Sequence, residues 1–288
     1  MERPLNTIQR KEIRDADMPQ KELRNIRYDR ELGIEAYRFK GVLQPFPNHF
    51  HDHYTIGFIK DGRRTMTCRG REYHVSKGDV ILLQPQQNHA CLPYRDSPLH
   101  FYGLNVVPQV MADLTEEAAG RPFQPSFTTP AVKDPEAAET IFRLNEMIFD
   151  GVQDPQKEDL LLELTALLMA HCRDESEAPD GNPFDEIAEA CRYMEAHFDE
   201  HISLDDLCGV AAMSKSTLLR AFTREKGITP YRYLETLRIN RAKELLAAGA
   251  TPVEAAAATG FTDQSHFNRY FTRFIGLSPG MYRDIFRK

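Results

Sequence analysis

Two stretches of this chain, 214–233 and 263–282, carry one pattern at a constant offset of forty-nine residues. Ser216 matches Ser265, Leu218 matches Phe267, Arg220 matches Arg269, Phe222 matches Phe271, Thr223 matches Thr272 and Arg224 matches Arg273. The register runs on through Gly227 and Gly276, Thr229 and Ser278, Pro230 and Pro279, and Tyr233 and Tyr282. A repeat this short is one supersecondary unit used twice. Each copy predicts an Arg-bearing helix that stops at Gly and turns at Ser/Thr-Pro.

Each copy parses further as helix, turn, helix: 204–211 and 215–226 around Ala212-Met213, then 253–259 and 264–274 around Gly260-Phe261. Ser203 with Asp206, and Thr251-Pro252-Val253-Glu254, are capping-box patterns for the supporting helices, and Ser214 and Asp263 are N-caps for the second ones. A longer helix, 231–248, bridges the copies. In the second helices Leu218 and Phe222, or Phe267 and Phe271, stand four apart and face inward. Ser216, Leu219, Arg220 and Thr223, and then Gln264, Ser265, His266, Asn268 and Arg269, face outward. Arg can take guanine O6 and N7 together, and Gln or Asn can take adenine N6 and N7. Arg224, Arg273 and the helix N-termini suit phosphates, which set register without reading sequence.

The chain's net charge of −7 hides a local excess. From Met213 to Lys288 there are 13 Lys and Arg against 6 Asp and Glu, a net +7, which leaves −14 on residues 1–212. A basic end on an acidic body is the footprint of a double-stranded DNA partner.

Upstream, residues 1–30 read as a charged arm. Residues 34–107 read as β-rich, with Asp61-Gly62 predicting a hairpin between 54–60 and 63–69, further turns at Arg69-Gly70-Arg71 and Lys77-Gly78-Asp79, and strands at 80–83 and 99–107. Helical spacing then takes over: Ile141, Leu144 and Ile148 predict a helix over 135–149, and Leu160, Leu164, Leu167 and Leu168 one over 157–172. Their apolar faces can cover the β domain or pair with a second subunit. The segment 174–183, DESEAPDGNP, predicts a linker. The fold expected is multidomain α+β: a β-barrel or sandwich domain over 31–173 with two packing helices, the linker, and an all-α domain over 184–288.

The stretch GFTDQSHFNRYFTRFIGLSPGMYR, Gly260 to Arg283, with SKSTLLRAFTREKGITPYRYL before it, resembles the C-terminal signature of the AraC/XylS family of transcription regulators. That resemblance covers about 100 residues. It implies two helix-turn-helix units on a long helix, with base contacts from Ser216, Leu219, Arg220, Gln264, Ser265, His266, Asn268 and Arg269. Leu219 departs from the usual polar residue and points to a thymine methyl. The segment GREYHVSKGDVILLQPQQNHA is similar to the family's cupin-like effector domain, which implies a small-molecule effector. Cupins often hold a metal on an H-x-H pair, a nearby Glu and a distant His. Here HFHDHYT and His89 offer imidazoles, but Thr55 stands where that pattern has Glu. The expectation is therefore no metal, no cofactor and no enzyme activity, with an effector pocket lined by some of His49, His51, His53, Tyr54, His89 and Tyr102. The alternative is a cupin-type metalloenzyme fused to a DNA-binding module.

Five widely spaced cysteines without a C-x-x-C motif argue against disulfides or a zinc finger. No run of eighteen apolar residues suggests a membrane span. The expectation is a cytoplasmic, homodimeric, effector-responsive regulator, an activator working with RNA polymerase.

Overall fold

The computed structural model describes residues 22–172 and 185–287. The first unit contains β1 (Leu23–Asp29), β2 (Ile34–Val42), β3 (Phe46–His49), β4 (Tyr54–Asp61), β5 (Arg63–Cys68), β6 (Arg71–Ser76), β7 (Asp79–Leu83), β8 (His89–Pro93) and β9 (Leu99–Val106). It continues with α1 (Pro108–Ala119), β10 (Ala131–Lys133), α2 (Pro135–Asp150) and α3 (Gln156–Met169). A six-stranded sheet, β1-β2-β9-β4-β7-β10, faces a four-stranded one, β3-β8-β5-β6. The two do not share a ladder, so the domain is an open barrel.

Period-two alternation decides what each strand buries. In β7, Ile81 and Leu83 point between the sheets with Val42, Ile59, Met66, Leu99 and Phe101. Val80 and Leu82 point the other way, into a core with Tyr54, Ile56, Leu104, Ile141, Leu144 and Leu164. A strand buried on both faces reads as a continuous apolar run, which is why 80–83 was legible without alternation. α2 and α3 therefore cover the six-stranded sheet. Asn145 of α2 fixes that packing: its side-chain amide donates to the Tyr37 and Gly103 carbonyls, and its oxygen accepts from Arg38 at 2.6 Å. Lys157 of α3 reaches Asp29 and Glu31, each at 2.6 Å.

Three expectations need correction. Asp61-Gly62 does not close a hairpin: β4 pairs with β9 and β7, whereas β5 pairs with β8 and β6. The chain instead passes from one sheet to the other there. Gly62 has φ +97°, and an added Cβ would lie 2.3 Å from the Pro98 carbonyl oxygen. The dipeptide's φ preference was legible, but pairing is settled by which sheet each strand joins. The true two-residue hairpin is Arg69-Gly70 between β5 and β6, with both residues at positive φ. Second, the arm does not extend to residue 30, because 23–29 form β1 on the sheet edge. An edge strand exposes so many residues that its sequence reads as polar. Third, α1 and β10 were not anticipated. Residues 1–21 and the linker 174–183 lie outside the described residues.

The second unit contains α4 (Asp185–Ala196), α5 (Leu204–Val210), α6 (Lys215–Lys226), α7 (Pro230–Ala247), α8 (Pro252–Ala258), α9 (Gln264–Ile275) and α10 (Pro279–Phe286). The capping boxes at Ser203/Asp206 and Thr251/Glu254 form, and Ser214 and Asp263 cap α6 and α9. Each helix-turn-helix unit has its own core, one around Leu218 and Phe222 and the other around Phe267 and Phe271. α7 joins them: Tyr233, Leu234 and Leu237 enter the first, and Ile239, Ala242 and Leu246 the second. All five cysteines are free.

Replacing Asn145 with Leu should cost about 1–3 kcal/mol, because the carbonyls of Tyr37 and Gly103 lose a buried donor. Urea denaturation of the full chain measures this; an unchanged midpoint would show that α2 needs no such anchor.

Candidate nucleic-acid interface and effector cavity

The two capped helices present their outward faces as the spacing predicted. Ser216, Leu219, Arg220, Thr223 and Arg224 on α6 are exposed, as are Gln264, Ser265, Arg269 and Arg273 on α9. Arg220 Nε donates to the Ser216 carbonyl at 3.1 Å, which lays the guanidinium along its own helix. The Asp263 carboxylate accepts from the Ser265 and His266 amides at 2.9 and 3.1 Å. Two members of the outward set are half-buried. The His266 ring packs 4.4 Å from Tyr270 and 5.7 Å from Phe261, with Glu235 at 4.0 Å. Asn268 keeps its side-chain oxygen buried without a partner.

The other candidate site is a cavity of about 130 Å³ between the sheets, at the barrel end covered by the second unit. His49, His51, His53, Thr55 and His89 line it, with Arg64 and the apolar side chains of the inner core. Lys243 of α7 and Phe274 and Ile275 of α9 complete the wall. The effector expectation is corrected at two residues. Tyr54 and Tyr102 face the opposite side of the sheet: Tyr54 donates to the Pro125 carbonyl, and Tyr102 stacks 5.6 Å from Phe58. Strand alternation excludes them, since their neighbours Thr55 and Phe101 point inward.

The imidazoles form a compact cluster. His49 lies 4.4 Å from His89 and 4.6 Å from His51, and His51 lies 4.8 Å from His53, centroid to centroid. Burial and then mutual repulsion hold His49 and His51 well below the usual histidine range. Burial takes His53 down to about 3, aided by Lys243, and takes His89 down to about 4. All four are therefore neutral at neutral pH.

Sequence reading missed the residues that tie this cavity to the second unit. Phe50, between two of the histidines, leaves the barrel: it is 1% exposed and sits in the core of the first helix-turn-helix unit, 4.9 Å from the Tyr233 ring. Tyr233 in turn meets Phe222 of α6 at 5.5 Å. His49 meets Phe274 of α9 at 5.5 Å. Around this apolar contact runs a polar clamp. Glu35 of β2 accepts from Tyr282 of α10 and from Asn105 at 2.8 Å, and Lys243 lies 3.5 Å away. Burial opposes ionisation of Glu35, but Lys243 and these hydrogen bonds outweigh it and hold the carboxyl below its ordinary value. Lys243 also donates to His53 Nε2 at 3.2 Å. An unpaired aromatic residue in a polar histidine run was the only available signal for Phe50.

Residues 31–190 match the family described as AraC-like ligand binding domain, and residues 207–285 match a helix-turn-helix domain. The chain belongs to the AraC family of transcription regulators. It is 41% identical over 272 residues to the HTH-type transcriptional regulator YbfI of Bacillus subtilis (strain 168), covering 93% of this chain and 98% of that one. The HTH-type transcriptional activator RhaS of Salmonella arizonae is 29% identical over 254 residues, covering 83% and 87%. A solved structure of ToxT from Vibrio cholerae, described as bound to an unsaturated fatty acid, aligns with TM-score 0.52 at 15% identity, over 93% of this chain and 96% of that one. This likeness is one of fold. The barrel is thus the ligand-binding domain of an AraC-type DNA-binding regulator, and α6 and α9 occupy the second-helix positions of its two helix-turn-helix units. No described helix is long and apolar enough to cross a membrane.

Phe50→Ala should destabilise the full chain by about 3–5 kcal/mol, the usual cost of emptying a buried phenylalanine site. Chemical denaturation measures it; a change below about 0.5 kcal/mol, as for an ordinary surface position, would show that the ring is not seated there.

Proposed function

We propose that this AraC-family regulator is a cytoplasmic, homodimeric activator that reads DNA with α6 and α9 and is set by a small effector in the barrel cavity. The observation that carries the reading is Phe50, which gives cavity and DNA-binding unit a shared segment of backbone. Base contacts fall to Ser216, Leu219, Arg220 and Thr223, and to Gln264, Ser265 and Arg269. His266 and Asn268 join them at the rim. Arg224 and Arg273 hold phosphate. The description of RhaS as an activator supports the sign of regulation, and activation entails a contact with RNA polymerase. Leu162 and Met169, half-buried and one heptad apart on α3, support a pairing face between two subunits.

The cavity supports a compact effector. Its volume of about 130 Å³ is close to the ~150 Å³ that admits a benzene-sized ring. An extended fatty acid of the kind bound to ToxT would require the barrel to open. Arg64, only 1% exposed, donates to the Val42 and Gln44 carbonyls and leaves Nε without a partner, which suits an anionic group on the ligand. His49, His51, His53 and His89 supply the polar end. An effector acts only by binding one docking arrangement of the two units more tightly than the other. An enzyme reading has less support, because Thr55 stands where the cupin pattern has Glu, and the carboxylate that does line the cavity, Glu35, is engaged by Tyr282, Asn105 and Lys243.

Arg269→Ala should cost about 1–3 kcal/mol on a selected operator and relax base preference. Equal loss on operator and scrambled duplex would make Arg269 a phosphate contact. For the unaltered chain, operator affinity should fall steeply with salt, since phosphate neutralisation releases counterions. A flat salt response in a fluorescence-anisotropy titration would overturn DNA binding through this basic unit.

A further inference from the structure

The described residues include four buried acids, Asp29, Glu35, Asp79 and Glu235. In the three on the barrel both carboxylate oxygens are engaged: Asp29 by Lys157 and the Glu31 and Leu32 amides, Glu35 by Tyr282, Asn105 and Lys243, and Asp79 by Lys133 and the Ser76 amide. Glu235 of α7 differs. It is the most deeply buried of the four, at 2% exposed. Its Oε2 accepts from Arg232 at 3.2 Å, but its Oε1 is buried without a hydrogen-bond partner. Leaving a buried carboxylate oxygen unpaired is costly, so an orphan of this kind calls for a donor.

A donor stands beside it on the second reading helix. His266 Nε2, in the first turn of α9, lies 4.0 Å from Glu235 Oε1, about 1 Å outside hydrogen-bonding range. The Tyr231 and Tyr270 hydroxyls also gather here, and burial and then the Glu235 charge push both above their usual range, yet neither closes a hydrogen bond on Oε1. The Asp263 cap fixes the His266 backbone, and the imidazole keeps 31% of its surface in solvent. We propose that Glu235 is a positioning residue for DNA recognition: as α9 enters the groove, Glu235 Oε1 accepts a hydrogen bond from His266 Nε2 and fixes the imidazole in one orientation against one base pair. Seating the helix removes the water that competes for the ring, and a hydrogen bond to a buried carboxylate is stronger there than in solvent. A neutral ring whose Nε2 donates has one tautomer, and so presents one kind of edge rather than two. The inference rests on the reading of bases by α9 and adds a buried residue, outside the outward-facing set, that sharpens it.

The test is binding-site selection with the full chain, followed by affinities for the selected operator and its single-base variants. Glu235→Met removes the acceptor at similar length and should cut discrimination at one base pair roughly five-fold, the worth of one hydrogen bond. His266→Ala should erase the same preference, and adding it to Glu235→Met should cost nothing more. Glu235→Gln keeps an accepting oxygen and should retain most of the preference. A purely structural role would lower affinity for every duplex alike, and that result overturns the assignment. In the unaltered chain bound to operator, nitrogen-15 spectra of labelled histidine should show His266 Nε2 protonated; a bare Nε2 overturns the pairing even if a variant fails to fold. Arg269→Ala on the same duplexes separates this pairing from the reading beneath it. If Arg269→Ala relaxes base preference while the Glu235 and His266 variants do not, the pairing falls and reading by α9 stands. If it too leaves base preference intact, reading by α9 falls and the pairing with it.

Discussion

The apolar link between the cavity and the first helix-turn-helix unit is made by the backbone around Phe50. In an extended segment successive side chains point to opposite sides. With His49 and His51 turned into the barrel cavity, Phe50 has to leave it, and it enters the core shared by Tyr233 and Phe222. The first helix-turn-helix unit therefore completes its core with a residue of the ligand-binding domain. Whatever moves the histidines moves that ring, and a close-packed core does not absorb such a displacement without shifting its neighbours.

An apolar wedge gives attraction but little register. Register comes from the clamp beside it, where Glu35 gathers Tyr282, Asn105 and Lys243, and Lys243 reaches on to His53. A buried ion pair adds little net stability over apolar packing, since desolvation consumes most of the Coulombic gain. Misplacing one is costly, because it strands a charge away from water. The clamp accordingly disfavours intermediate positions of α7 and α10 on the barrel more than it strengthens the docked one. A contact of that kind has discrete alternatives, which is what a two-state regulator needs.

The parts of this architecture that were legible in the sequence are those fixed within one or two turns of chain. The forty-nine-residue repeat, both capping boxes and the inward pairs Leu218/Phe222 and Phe267/Phe271 depend on local φ/ψ preferences and helical spacing. What failed depends on partners distant in sequence. Asp61-Gly62 has hairpin chemistry but joins strands of different sheets. Tyr54 and Tyr102 belong to correctly placed strands, yet the inward face was set by α2 and α3 lying on the other side. Phe50, Lys243 and Phe274 acquire their roles only when separations of about 180 residues or more are closed, as between His53 and Lys243, 190 apart. No periodicity carries that information.

The second reading helix shows how the docked arrangement reaches DNA. α9 has 12 residues, about 18 Å of rigid rod. Its first turns hold Gln264, Ser265 and Arg269 in solvent. Its last turn is held by the barrel: Phe274 lies against His49, the Arg273 carbonyl accepts from Gln44 at 3.2 Å, and the Gly276 carbonyl accepts from Arg24 at 3.4 Å. A helix gripped at one end transmits a tilt at its base to its tip. α6 is met by the barrel at its C-cap, where the Asn88 side chain packs on Gly227, and it is reached a second way through Phe222, Tyr233 and Phe50. A change in the cavity thus acts on the two reading helices by different routes, and their relative orientation, rather than either helix alone, is what occupancy of the barrel can reset.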